Sequence, residues 1–258
     1  MRSALPVCVL VAATATLELG LPHPAAAQPD PQSKYIRVDF MKVAEGKQDD
    51  YPKLEEAWKA VHEDRVRKGQ IESWSQYAVR LPPMSTSREY DAVTMMVFPS
   101  FAKIDEPYDA EQMAKIGTFP PANDIRKMVR SEIWFLYRSA GDLLASKYAN
   151  VLFHKAKPGQ LGEYLRAQRE LYLPINEELV KSGVRKSWHS LGVMYPSGTA
   201  NDHDWVTYDG YEAFDAPAGN TAAGIAPERV AAASRAVSAH RDVVRNEYWQ
   251  LMRRTPPK

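Results

Sequence analysis

The sequence predicts an α+β fold in which one β-α-β-β-α-β unit occurs twice in succession. Three observations support this prediction: residue types that recur in the same order in two segments, apolar alternation typical of strands, and helical spacing between the strands. The chain has 258 residues, 45% of them hydrophobic and 25% charged, which is a globular composition with room for two such units. Its formal net charge of +1 gives no reason to expect nucleic acid as a partner.

The internal repeat becomes visible when the segment from residue 34 is aligned with the segment from residue 147. At a nearly constant offset, the same residue types recur in the same order through both segments. The aligned pairs include Tyr35 and Tyr148, Phe40 and Phe153, Gly46 and Gly159, Tyr51 and Tyr164, Trp74 and Trp188, Asp91 and Asp204, Glu132 and Glu247, and Trp134 and Trp249. Matches in one order with almost no drift indicate a tandem duplication.

In the first copy, period-2 alternation predicts four strands. They span Tyr35–Val43, Ser73–Leu81, Tyr90–Phe98 and Val129–Arg138. A helix is predicted over Asp49–Lys68, where Tyr51, Leu54, Trp58 and Val61 recur at helical spacing. Pro52 suits the first turn of this helix, and Gly69 suits its end. A second helical segment is expected within Ala110–Met128.

The second copy repeats this pattern. Its predicted strands are Tyr148–Ala156, Ser187–Tyr195, Trp205–Tyr211 and Val244–Met252. Helices are predicted over Gly162–Lys181 and Pro227–Arg241, and Pro174 should kink the first of them. The Ala- and Gly-rich stretch Ala216–Ala226 is expected to be a mobile loop.

The order of elements is that of the ferredoxin-like unit, whose sheet carries helices on one face only. Two such units, residues 34–138 and 147–254, are joined by a short linker at 139–146 and followed by a tail at 255–258. They can cover each other sheet to sheet. The sequence therefore resembles the dimeric α/β-barrel superfamily, with the usual homodimer fused into one chain. This resemblance implies a monomer.

The first 27 residues are typical of a cleaved signal peptide. Arg2 gives a positive start, an apolar stretch spans Leu5–Leu19, and small residues end at Ala27. An uncleaved membrane anchor is the alternative, but the apolar stretch is too short to span a bilayer. Residues 28–33 are expected to form a disordered leader. Cys8, the only cysteine, leaves with the signal peptide, so the sequence predicts an exported, periplasmic or secreted protein without disulfides or stable membrane insertion.

The second copy gains titratable side chains at three strand positions. Met41 is replaced by His154, Ser75 by His189 and Met95 by Tyr208. If the two histidines share a face of the sheet, they form a polar site with Tyr208, in which an imidazole would serve as a general base or an axial haem ligand. The alternative is that each histidine is a structural residue with satisfied hydrogen bonds. The other histidines, His62, His203 and His240, are expected to face solvent.

A second set of candidates occurs in both copies. Arg130 and Glu132 lie two residues apart on a strand, as do Arg245 and Glu247, so each pair shares a face. We expect structural ion pairs inside the barrel or at its rim. The alternative is that each guanidinium binds an acidic ligand in its own half. Trp188 is a candidate ligand contact, for which a core position is the alternative.

No motif in the sequence dictates a reaction. It contains no Walker loop, no H-E-x-x-H and no G-x-S-x-G, and no metal site is expected. The superfamily that the chain resembles includes cofactor-free monooxygenases, haem-degrading and haem-binding enzymes, and proteins without assigned activity. This resemblance implies a small-molecule-binding protein of the cell envelope with cofactor-free, monooxygenase-like activity. Haem binding and a non-catalytic structural or interaction module remain the alternatives.

Overall fold

Eight strands, six helices and two irregular helical turns make up the part of the chain that the computed structural model describes, residues 34–81, 89–117, 120–143, 146–198, 201–214 and 225–256. The strands are β1 Tyr35–Val43, β2 Ser73–Leu81, β3 Ala92–Phe98, β4 Arg126–Ala140, β5 Tyr148–Ala156, β6 Ser187–Tyr195, β7 Trp205–Tyr211 and β8 Arg241–Arg254. The helices are α1 Tyr51–Arg67, α2 Ala110–Ala114, α3 Ala122–Ile125, α4 Leu161–Ala167, α5 Leu173–Lys181 and α6 Pro227–Ala239.

Several sequence expectations lie outside the described residues. These are the signal peptide over residues 1–27, the leader over 28–33, and most of the Ala216–Ala226 loop. Among the helices that are described, none is long and apolar enough to cross a membrane.

Five strands have the bounds that the alternation predicts, whereas β3 begins two residues later, at Ala92, and β4 and β8 begin earlier and end later. The helical segment expected within Ala110–Met128 consists of the short α2 and α3, and its predicted end is wrong, because the chain is already a strand at Arg126. The early start of β4 comes from pairing: after a β-bulge, Met128 to Arg126 pair with Met41 to Val43 of β1. β8 likewise begins early, at Arg241, because this residue pairs with Ala156 at the end of β5.

The interruption expected near Pro174 is present as a π-helical turn. This turn, Gln168–Tyr172, separates α4 from α5, and Pro174 occupies the first turn of α5. A π-turn adds a residue to the helix and re-aims the side chains that follow it. It therefore changes which residues of this segment face the sheet.

The strands close into one antiparallel barrel in the order β1-β3-β2-β8-β5-β7-β6-β4. The first half (β1–β4) and the second half (β5–β8) each contribute a four-stranded sheet with the same internal strand order. The two sheets meet edge to edge, where β2 pairs with β8 and β4 pairs with β6. Closure in this way leaves no open sheet edge.

The lumen of the barrel is filled by side chains from both halves, as expected for eight strands. Its apolar core includes Ile36, Val38, Phe40, Tyr77, Val93, Met95, Trp134, Val151, Phe153, Leu191, Tyr208 and Trp249. The outer faces of the sheets carry separate apolar clusters beneath the helices, α1 on the first half and α4 to α6 on the second. Side chains from several elements therefore meet in the lumen, at its ends and in the two layers between sheet and helices, and a functional site is to be sought in these places.

Gly192 lets two aromatic rings meet across β6. It pairs with Phe135 of β4 on one side and Trp205 of β7 on the other. These two rings form a T-shaped contact with centroids 5.6 Å apart. A Cβ on Gly192 would overlap the Phe135 ring and lie 2.8 Å from the indole of Trp205.

We expect Gly192→Ala to lower the free energy of unfolding by about 1–3 kcal/mol, because the ring contact must open to admit the methyl group. The matched control is Gly162→Ala in α4, where no atom lies within 4 Å of the added Cβ. This control should leave stability unchanged or raise it by up to about 1 kcal/mol. Chemical denaturation measures both variants, and equal stabilities would contradict the prediction.

Candidate functional site

The layer between α1 and the first sheet contains an unusual number of buried polar side chains. Tyr51, Glu55, Trp58 and His62 recur at helical spacing and lie along the sheet-facing side of α1. Glu55 is fully buried and His62 is 3% exposed. Together with Arg65 of α1 and Arg126 of β4 they form what we call the α1 layer. Polar residues of these types are seldom buried without partners.

Arg126 enters this layer because of the β-bulge in the β1–β4 pairing. Arg130 pairs with Phe40 and shares its lumen-facing side, but the register shifts between Phe40 and Met41. The shift reverses the alternation, so Arg126 points to α1 instead of the lumen. There its Nε lies 2.7 Å from Glu55 Oε1, and its Nη1 donates to Met41 Sδ at 2.8 Å.

Glu55 is the central acid of the α1 layer. Its Oε1 is paired with Arg126, and its Oε2 is buried without a hydrogen-bond partner. Burial raises the pKa of this carboxyl above its ordinary value, against the lowering effect of Arg126 and Arg253. A buried carboxylate of raised pKa is a suitable proton acceptor.

Tyr51 lies one helical turn before Glu55. Its hydroxyl is buried and has no hydrogen-bond partner of good geometry. Burial, together with the negative charge of Glu55, raises the pKa of Tyr51. The phenol therefore stays protonated and is available as a hydrogen-bond donor beside the carboxylate.

His62 is stacked between two indoles, so the expectation that it faces solvent is wrong. Its ring centroid lies 5.8 Å from that of Trp58 and 5.1 Å from that of Trp74, with both pairs close to parallel. The Nδ1 of His62 and the Nε1 of Trp58 have no hydrogen-bond partner. Burial, followed by the charges of Arg65 and Arg126, lowers the pKa of His62 to about 3. The imidazole is thus neutral at physiological pH.

The corresponding layer of the second half is closed on itself. Tyr164 aligns with Tyr51, and Gln168 aligns with Glu55. Here Gln168 Nε2 donates to the Tyr164 hydroxyl at 2.9 Å. After the residue that the π-turn adds, Tyr172 and Asn176 correspond to Trp58 and His62. Both have partners, since the hydroxyls of Tyr172 and Ser234 lie 3.3 Å apart and Asn176 Nδ2 donates to the Tyr172 carbonyl at 2.8 Å. In the α1 layer, five buried polar atoms have neither a hydrogen-bond partner nor an ion-pair partner, one each on Tyr51, Glu55, Trp58, His62 and Arg65. Around the second layer there are three such atoms, on Gln168, Arg185 and Arg241.

His154 lies in this second layer, on the outer face of β5. Its Nε2 lies 2.9 Å from Thr207 Oγ1, and its ring also contacts the guanidinium of Arg241. Burial, and then the charge of Arg241, lowers the pKa of His154 well below its ordinary value. The imidazole is neutral, and its nitrogens are engaged by neighbouring side chains.

His189 and Tyr208 lie on the other face of the sheet, inside the lumen. Their ring centroids are 5.6 Å apart, His189 Nδ1 lies 2.8 Å from Ser139 Oγ, and the hydroxyls of Tyr208 and Tyr77 are 3.3 Å apart. Burial lowers the pKa of His189 to about 3. The structure brings these two residues together but separates them from His154, so the condition of a shared histidine face is not met.

The opposite faces follow from the alternation in each strand. In β5, Val151 and Phe153 point into the lumen, so His154 points out. In β6, Leu191 points into the lumen, so His189 does too. Alternation within one strand does not show which of its faces the barrel encloses.

Arg130 and Arg245 come together at one end of the lumen, which we call the barrel mouth. The predicted ion pairs are confirmed: Arg130 Nε lies 3.1 Å from Glu132, and Arg245 Nε lies 2.9 Å from Glu247. Asp202 lies within 4 Å of both guanidiniums.

His203 and Trp188 are both buried, one at the mouth and one in a helical layer. His203 is 2% exposed and lies 3.1 Å from Glu132, so the expectation that it faces solvent is wrong. Trp188 is fully buried on the outer face of β6, with its ring 6.5 Å from that of Tyr172. It lies in the packed layer beneath the helices, away from the barrel mouth.

The four buried histidines of the described chain do not fit an axially ligated haem, which needs an imidazole nitrogen facing a roomy apolar space. His62 is stacked between indoles, His154 is engaged by Thr207 and Arg241, His189 lies in the filled lumen, and His203 bonds two carboxylates. Within the described residues, no group of three or more His, Cys, Asp or Glu side chains is arranged to hold a metal ion.

Comparison with known proteins gives matches in structure. No protein-family model and no curated protein matches the sequence. A candidate monooxygenase from Lactobacillus acidophilus has a TM-score of 0.57 at 10% identity, over 86% of this chain and 96% of its own. A candidate monooxygenase from Fusobacterium nucleatum has a TM-score of 0.58 at 9% identity, over 86% and 94%.

A haem-binding protein from Thermus thermophilus has a TM-score of 0.50 at 11% identity, over 88% of this chain and 96% of its own. At these identities the likeness shows the fold alone. The closed eight-stranded barrel, with helices on its outside, is matched along nearly the whole described chain. The protein therefore has the fold of the dimeric α/β-barrel superfamily.

Proposed function

We propose that this protein is an exported, small-molecule-binding enzyme of the cofactor-free, monooxygenase-like kind, with its site in the α1 layer. The observation that carries the proposal is the set of buried polar atoms without partners in that layer. Native proteins leave few such atoms, and each calls for an explanation such as a ligand or a catalytic role. The second half shows that the same scaffold can close this layer internally, as Gln168 and Tyr164 do.

The groups in the α1 layer are suited to proton abstraction from a weakly acidic organic molecule. Glu55 accepts a proton from a phenol or from a carbon acid next to a carbonyl group. Tyr51 and Arg126 then donate hydrogen bonds to the oxygen that becomes negative. Met41, Leu54, Ala92 and Ile125 line the layer with apolar surface and exclude water. The fold shared with two candidate monooxygenases favours oxygenation of the resulting anion by O2, in which one oxygen atom becomes a carbonyl on the deprotonated molecule and the other leaves as water.

Access to this layer requires a conformational step. Glu55 is fully buried and Tyr51 is 8% exposed. A substrate therefore reaches the carboxylate only when α1 moves away from the sheet. Movements of this kind are common gating steps in enzymes.

Haem binding, the alternative activity, has one supporting observation, the similar fold of the haem-binding protein from Thermus thermophilus. The packing around the buried histidines argues against it. Of the sequence-predicted catalytic residues His154, His189 and Tyr208, only His189 and Tyr208 lie together, in the lumen. Catalysis by these two residues stays a second proposal.

The catalytic activity of the proposed site should depend on pH. A base works only when deprotonated, so activity should fall as the pH drops through the raised pKa of Glu55. The acid limb of kcat/KM should therefore lie above the ordinary glutamate value of about 4.3. Oxygen uptake with simple phenols as probes, after subtraction of the rate without protein at each pH, gives the profile. A limb at or below the ordinary value would reject Glu55 as the base.

Glu55→Gln should lower oxygen uptake with these probes by about 100-fold or more, because the base is removed. The variant should lose some stability, because Arg126 loses its charged partner, although an amide at this position can bond Tyr51 as Gln168 bonds Tyr164. The matched control, Gln168→Glu in the other half, should retain oxygen uptake. Full activity in Glu55→Gln would overturn the assignment. Wild-type protein that neither turns over any probe nor gains thermal stability from one would count against the site itself.

We also propose export, a tandem origin of the two halves and a monomeric state. Support comes from the signal-like residues 1–27 and from the two sheets of equal strand order that close one barrel within a single chain. Native mass spectrometry of protein recovered after export should show a monomer that begins after Ala27 and carries no haem mass. Retention of residues 1–27, a dimer, or an added haem mass would each reject the corresponding part of this proposal.

A further inference from the structure

The barrel mouth places two arginines around one point. Asp202 Oδ2 lies 3.4 Å from Arg245 Nη1 and 3.8 Å from Arg130 Nη1. The guanidiniums pack over aromatic rings, Arg130 at 4.4 Å from the centroid of Phe40 and Arg245 at 4.0 Å from that of Phe153. Stacking of this kind holds the two side chains in fixed positions.

The glutamates beside the arginines do not satisfy them fully. Glu132 receives the indole N–H of Trp134 at 2.6 Å, and Glu247 receives that of Trp249 at 2.7 Å. The remaining glutamate contacts go to His203 and Tyr90, which leaves only the Nε side of each arginine facing its carboxylate. The Nη2 atoms of Arg130 and Arg245 are buried and have no hydrogen-bond partner.

We propose that the barrel mouth binds one small oxyanion group, a phosphate or a carboxylate, between Arg130 and Arg245, and that Asp202 is an internal competitor that occupies this place. The contacts of Asp202 with the arginines are long compared with the roughly 2.7–2.9 Å of a good charge-assisted hydrogen bond. Its side chain is 53% exposed, and its departure breaks one close contact, that of Oδ1 with Nδ1 of the buried His203 at 2.6 Å. The open guanidinium nitrogens are those that an oxyanion contacts.

The charges at the mouth permit this exchange. With Asp202 turned away, Arg130 and Arg245 balance Glu132 and Glu247, and an incoming anion takes the place of the aspartate charge. Partial burial would raise the pKa of Asp202, but the hydrogen bond and charge of His203 and the two arginines lower it below its ordinary value. Asp202 is therefore ionised at neutral pH and competes as a carboxylate.

The test measures binding of inorganic phosphate and of acetate by calorimetry, at an ionic strength held constant with sodium chloride. Asp202→Asn should bind phosphate about 10-fold or more tightly than wild type, because the competing charge is gone. Arg130→Gln and Arg245→Gln should each weaken binding about 10-fold or more, and by similar factors. Arg138 is the control, because its guanidinium packs on Tyr137 away from the mouth. Arg138→Gln should leave phosphate binding unchanged.

Failure of Asp202→Asn to bind phosphate or acetate more tightly than wild type would overturn the proposal. Unchanged affinity in both arginine variants would overturn it too. Should a glutamine variant fail to fold, Arg130→Lys and Arg245→Lys keep the charge but lose the planar fork, and should still weaken binding. Binding of phosphate alone would identify a phosphate-bearing ligand, and binding of both probes would show that a carboxylate suffices.

Discussion

Closure of the barrel is the constraint on which the rest of the structure depends. The pairing of β2 with β8 and of β4 with β6 ties the two halves together at their edges. At the mouth the halves are also tied by crossed contacts, since Tyr90 of the first half donates to Glu247 of the second, and His203 of the second lies 3.1 Å from Glu132 of the first. Each half therefore needs side chains of the other to complete the hydrogen bonds at this end of the barrel.

A closed barrel of this size leaves little room inside. The lumen is filled by aromatic and branched side chains. Of its polar groups, Tyr77 pairs with Tyr208 and His189 Nδ1 with Ser139, while His189 Nε2 has no hydrogen-bond partner. Space for a ligand is more readily made where a helix lies on a sheet, because a helix can lift without breaking strand pairing. The proposed catalytic site therefore lies in a helical layer, and the proposed anion site lies at the mouth.

Much of the fold could be predicted from the sequence, but the candidate site could not. Alternation gave the bounds of five strands, and the spacing of Arg130 and Glu132 predicted their ion pair, because both depend only on the period of a strand. The bulge before Arg130 obeys no such period, and it alone carries Arg126 to α1. Glu55 and His62 were missed because a helical pattern read from apolar residues treats polar ones as solvated. The signal was present, since His62 follows Trp58 by four residues and Glu55 follows Tyr51 by four.

The differences between the halves point to chemistry in the half that appeared plainer in sequence. The second half gained His154 and His189, yet His154 is bonded by its neighbours and His189 lies in the packed lumen. The first half has a glutamate, Glu55, where the second has Gln168, and one oxygen of that glutamate is buried without a hydrogen-bond partner. An amide at this position closes the layer, and a buried carboxylate is costly to keep there. Such a cost is more readily explained by catalysis than by stability, because sites that act on substrates are where proteins tolerate unsatisfied groups.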